Sequence, residues 1–128
     1  MPRAATASTA GAQSAGLQVH FYQLLENLAA LDETQVRELF RDRSIDALAR
    51  NGLPKLAQER LRLIASHGVE ESSLFILFLN RLMSLKSGEF AGTAVAAYIS
   101  RGFSRLPADE QRLKEPDAGL FDELFASC

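Results

Sequence analysis

Cysteine is almost missing from this chain. Cys128, the last residue, stands alone, which excludes an internal disulfide and a zinc site built from thiolates. Histidine is nearly as scarce, with only His20 and His67, far apart in sequence. No stretch reaches the roughly 20 apolar residues that a membrane-spanning helix requires. The greasiest run, Leu74 to Leu85, is interrupted by Asn80 and Arg81 and reads as a core helix. The amino terminus lacks the apolar segment of a secretory signal peptide. A surplus of basic residues is lacking too: a formal net charge of -2 argues against a general nucleic-acid partner, whose phosphate lattice needs a broad basic surface. Motifs of the GxGxxG, Walker, HExxH and GxSxG types are all missing, which removes the common sequence signatures of nucleotide, metalloprotease and serine-hydrolase chemistry.

What is present fits one globular domain. With 128 residues, 47% apolar and 23% charged, the chain is long enough to bury a single core without metal or disulfide support. Residues 1–16 are small and polar, so we expect a disordered tail followed by one folded unit over 17–128. The Ser/Thr/Ala-rich tail also suits a type III secretion signal, although a merely frayed terminus would have the same composition. The chain closes on the apolar cluster Leu120, Phe121, Leu124 and Phe125, and we read it as one domain of a longer protein.

Helical periodicity dominates, and we expect an all-α antiparallel bundle. The first helix is predicted over about Leu17 to Ala30, with Leu17, Phe21, Leu24, Leu25 and Leu28 on one face. Asp32 and Gln35 have the spacing of a capping box that opens a second helix. Its apolar stripe drifts at Asp42 to Ser44, where a kink or restart is expected, and it ends at Asn51-Gly52. A third helix over Pro54 to His67 should bury Leu56, Leu61 and Ile64, with Gly68 as its stop. The run LFILFL, apolar on every side, marks the central helix. A break at Ser87-Gly88 precedes a fifth helix over Glu89 to Arg101 that Gly102 should end. Pro107 with Asp109 and Glu110 announces a further helical segment, and Pro116-Asp117 starts the last amphipathic helix.

Candidate chemistry is thin for an enzyme. His67 beside Gly68 suits the negative end of a helix, and the acidic pairs Asp32-Glu33, Glu70-Glu71 and Asp109-Glu110 fall where helices begin. Neither observation calls for acid–base catalysis, so we expect no active site, no metal and no cofactor. Two segments stand out instead. Arg50, Leu53 and Lys55 lie in an acid-free stretch between Asp46 and Glu59, and Arg101, Phe103 and Arg105 lie in another between Glu89 and Asp109. Read as loops, these carry cations that would gain about 1 kcal/mol each near an anionic leaflet, with Leu53 and Phe103 as insertable wedges. The alternative is that the cations cap helix ends and the two apolar residues fold back onto the core. The lipid reading needs both loops at one end, which a four-helix tip would provide.

The Ala/Ser-rich tail, the helical pattern and the segments ARNGLPK and SRGFSRLP resemble the BteA-type lipid-raft-targeting amino-terminal domains of Bordetella type III effectors. The plan is also similar to the four-helix-bundle membrane localisation domains of large bacterial toxins. This resemblance implies a non-catalytic targeting domain of a secreted virulence effector. It would act as a peripheral protein on the cytoplasmic face of the host plasma membrane. The same resemblance implies that the two basic, apolar segments contact phosphatidylinositol bisphosphate and phosphatidylserine. A second expectation is a protein-interaction module that binds a secretion chaperone or a host adaptor through the N-terminal region, with Leu17, Phe21 and Leu24 as helix-in-groove anchors.

Overall fold

In the computed structural model, residues 9–86 and 88–126 are described, with side-chain surroundings from Leu17 onward. The chain is all-helical: α1 (Thr9–Ala29), α2 (Glu33–Asp42), α3 (Ile45–Arg50), α4 (Lys55–Ser66), α5 (Glu71–Ser84), α6 (Ala94–Arg105) and α7 (Asp117–Leu124), with a 3-10 turn over Ala108–Glu110. No strand occurs among the described residues. The first half of the expected tail, residues 1–8, lies outside them. The backbone is helical from Thr9, ahead of the start expected at Leu17.

Local chemistry sets most boundaries. Asp32 caps α2 by accepting the Gln35 N–H at 2.8 Å, while the Gln35 side chain accepts the Asp32 N–H at 2.9 Å. This is the reciprocal capping box its spacing implied. The stripe drift at Asp42 to Ser44 is a full break: Arg43 takes a left-handed conformation, and Ser44 then caps α3 by accepting the Ala47 N–H. Gly52 and Gly68 have positive φ of 113° and 103° in the turns after α3 and α4, where a residue without Cβ meets no steric penalty.

α5 is the central rod. Every residue from Ser73 to Leu79 is buried, and α1, α4 and α6 all pack on it. A ring cluster seals one side: Phe78 meets Phe21 edge-on at 5.6 Å, and Phe121 and Phe125 of the α7 segment close over both. On the other side Phe75 stands edge-on to Phe40 of α2 at 5.3 Å, and Phe40 in turn meets Tyr98 of α6. Aromatic pairs at such distances add to the burial of large apolar area.

Three expectations change. Leu56 is 41% exposed, and the buried position on that turn is taken by Ala57, because α4 is rotated to face α5 and α7 with Ala57, Leu61 and Ile64. The fifth predicted helix is displaced along the chain: Glu89 to Gly92 form turns, Thr93 is the N-cap, and the helix runs on to Arg105. Gly102 therefore sits inside α6. Lastly, Leu17, Phe21 and Leu24 are core residues; they cannot act as anchors for a partner while α1 is packed.

Candidate anion-binding groove

The two basic segments have different fates. Arg50, the last residue of α3, is exposed, and its guanidinium donates to Asp42 at 2.7 Å. That bond, with a second from Ser44, holds the Asp42 carboxyl below the usual carboxylate range. Leu53 is only 3% exposed. Its N–H donates to the Leu48 carbonyl, and its own carbonyl accepts from the Gln58 side chain at 2.8 Å. The turn is further stapled at Asn51, whose carbonyl accepts from Asn27 of α1 and whose side chain donates to the Ala47 carbonyl, both at 2.8 Å. Gly52 approaches the same Asn27 so closely that a Cβ would lie 2.9 Å from its Nδ2. The expectation that Leu53 is an insertable wedge is thus corrected: it is part of the core. Lys55, the first residue of α4, stays exposed.

The second segment is not a loop. Arg101, Phe103 and Arg105 all lie on the last turns of α6. Phe103 is half-buried and turns towards a cavity of about 400 Å³ shared with Leu77, Leu113 and Phe121, which removes it as a free wedge. Arg101 and Arg105, one helical turn apart, face the other way and line a groove with α2.

That groove, about 210 Å³, is walled by Arg37, Phe40, Arg41, Arg43, Tyr98, Arg101, Gly102 and Arg105. Its construction follows from helical spacing. Arg37 and Arg41 are four apart on α2, as Arg101 and Arg105 are on α6, so each pair projects from one stripe. The Phe40–Tyr98 contact at 5.4 Å clamps the helices together, and the Arg101 guanidinium lies 4.4 Å from the Tyr98 ring centroid, a cation–π geometry. Gly102 lets α6 sit close against α5: a Cβ there would be 2.7 Å from Cδ1 of Ile76, itself buried in the core.

The electrostatics are lopsided. Five guanidinium groups and no carboxylate line the groove. Among the described residues none of the five forms an ion pair, whereas Arg50, Arg60, Arg62, Arg81 and Lys86 all do. Like charges so gathered repel one another, and planar forks of this kind suit phosphate and carboxylate oxygens. The structure therefore brings Arg101 and Arg105 together with arginines that sequence reasoning passed over. It does not join them to the first segment: Arg50 and Asn51 line a separate hollow with Leu31, Gln35, Glu38 and Leu39. The overlooked signal was the i, i+4 pair Arg37 and Arg41. It was masked by Glu38 and Asp42, which the helix turns towards Arg50.

One further polar constellation lies between α4 and α7. His67, the C-cap of α4, has Nδ1 2.5 Å from Oδ1 of Asp117, the buried first residue of α7. Ser73 borders the same cavity, but its hydroxyl donates to Glu110 at 2.7 Å and so is not aligned on the imidazole. Among the described residues no three His, Cys, Asp or Glu side chains are grouped to hold a metal ion. No described helix is long and apolar enough to cross a membrane. No protein-family model matches the chain, and no similar curated protein or solved structure was found.

Proposed function

We propose that this chain is a non-catalytic, peripheral membrane-targeting module that recognises anionic phospholipid headgroups through the α2/α6 arginine groove. The observation that carries the reading is the gathering of five arginines without a carboxylate on a chain of net charge -2. Near an anionic leaflet each cation gains about 1 kcal/mol, so the groove together supplies on the order of 5 kcal/mol before ordering costs. A phosphoinositide with several phosphates offers more oxygens to these forks than a monoester does. We accordingly take phosphatidylinositol bisphosphate and phosphatidylserine, on the cytoplasmic face of a host plasma membrane, as the targets. In this reading the chain is the targeting part of a BteA-type effector delivered by a type III system, and its cellular effect resides elsewhere.

Burial of Leu53 shifts the balance of forces. With no apolar wedge in the first segment, attachment is chiefly electrostatic. Vesicle flotation tests it. Phosphatidylcholine vesicles carrying phosphatidylinositol bisphosphate should retain the native chain and release the quadruple variant Arg37→Gln, Arg41→Gln, Arg101→Gln, Arg105→Gln, whose helix content should be unchanged. Equal retention of the two proteins would refute the groove as the lipid site.

A further inference from the structure

Arg43 is an anomaly of the fold. It is the sole described residue other than glycine with positive φ, at φ 49° and ψ 49°. The position demands that conformation: α2 ends and α3 begins within two residues, the Arg43 N–H closes the last turn of α2 on the Leu39 carbonyl at 3.0 Å, and Ser44 must already be extended to cap α3. Left-handed cap positions are ordinarily filled by glycine, which has no Cβ to meet the following carbonyl, or by asparagine, whose short polar side chain can hydrogen-bond locally. Backbone strain of this kind persists only where the surrounding structure enforces it, and it clusters at ligand clamps and switch regions.

The Arg43 side chain is oriented without being neutralised. Its Nε donates to the Phe40 carbonyl at 2.8 Å, which fixes the plane of the guanidinium at the groove wall. The nearest acid in sequence, Asp42, is engaged by Arg50 and Ser44. Among the described residues Arg43 has no ion-pair partner, and it is exposed. Arg41 sits on the helix with no side-chain hydrogen bond among the described residues, whereas Arg43 is tied by its own backbone and by the Phe40 carbonyl, so its two Nη groups are pre-set towards an incoming oxyanion.

We propose that Arg43 is the phosphate-gripping arm of the groove, a pre-oriented fork that holds one headgroup phosphate while the four helix-borne arginines supply the surrounding field. This rests on the groove being the headgroup site. Stability and binding should therefore move in opposite directions on substitution. Arg43→Gly and Arg43→Asn are expected to melt at or above the native temperature, since both residues accept the left-handed conformation. Their association with vesicles of phosphatidylcholine and phosphatidylinositol bisphosphate should fall about tenfold, the lower end of what a hydrogen bond to a charged group contributes. Arg43→Lys keeps the charge but loses the fork and the bond to Phe40, and should fall between. Affinity retained within about twofold by Arg43→Gly and Arg43→Asn, against that tenfold expectation, would overturn the proposal, as would a lowered melting temperature, which would make the arginine a structural cap. The quadruple glutamine variant separates the two readings. If it loses binding while Arg43→Gly does not, only the role of Arg43 fails; if it binds like the native chain, the headgroup site fails with it.

Discussion

At the scale of single residues, the placement of several side chains reverses their apparent chemistry. Arg50 looks like a free cation in sequence, yet it is bonded to Asp42, and the sign of that coupling is testable. The folded-state pKa of Asp42 is depressed, first by the Arg50 hydrogen bond and then by that from Ser44. The stabilisation it provides is therefore present above the ordinary value of 3.8 and is lost as pH falls through the folded value. Carboxyl titration by NMR should place the Asp42 midpoint below 3.8, and Arg50→Gln should move it back upward. Gly102 makes a second residue-level case. An added methyl in Gly102→Ala must displace Ile76, buried against α6. Overpacking costs about 1 to 3 kcal/mol, offset by the about 1 kcal/mol of helix propensity that alanine gains, so the net loss should be up to about 2 kcal/mol, measurable as a lowered urea midpoint.

Among the helices, legibility followed the range of the forces involved. Features fixed by neighbours in sequence were readable: the Asp32/Gln35 capping box, the glycine turns at Gly52 and Gly68, the uniformly apolar α5 and the start of α7 beyond Pro116. Replacing Asp32 by Ala should remove about 1 kcal/mol, seen as a lowered melting temperature. Features fixed by packing were not readable. The sequence around Glu89 to Gly92 has helical composition, but Thr93 offers a side-chain cap to the Ala96 N–H at 3.3 Å, and the helix begins there. Gly102 reads locally as a stop; a helix interior accepts it because the gain from close approach to Ile76 outweighs the propensity penalty of about 1 kcal/mol. The His67–Asp117 pair joins residues 50 positions apart and has no local signature at all. It ties α4 to α7, so Asp117→Ala, which removes this tie while leaving the exposed imidazole to solvent, should destabilise the chain by roughly 0.5 to 1.5 kcal/mol and loosen the ring cluster of Phe121 and Phe125.

Across the whole molecule, the sum of charges conceals their distribution. A net charge of -2 is compatible with a strongly basic face because, among the described residues, Arg50, Arg60, Arg62, Arg81 and Lys86 outside the groove sit beside acids in surface ion pairs, each of little energetic weight. Among the described residues the groove arginines form no ion pair, and on the proposed reading their field would steer an anionic surface towards this face before contact. Of the expected site residues, Arg101 and Arg105 line the groove together with Arg37, Arg41 and Arg43, while Leu53 of the first segment is part of the core. That combination was invisible in sequence because it depends on which faces of α2 and α6 meet, a matter decided by Phe40, Tyr98 and Gly102. Attachment driven by exposed charge should weaken with salt, since screening acts within about 8 Å at physiological ionic strength. Flotation repeated across a salt series should show a steady loss of bound protein.

The most direct test of the central claim is a map of backbone amide shifts as a short-chain phosphatidylinositol bisphosphate is titrated into the labelled protein. The account predicts that the largest perturbations fall on Arg37 to Arg43 and on Tyr98 to Arg105, with Asn51 to Lys55 little affected. Perturbations centred on Asn51 to Lys55, or no saturable change anywhere, would contradict it.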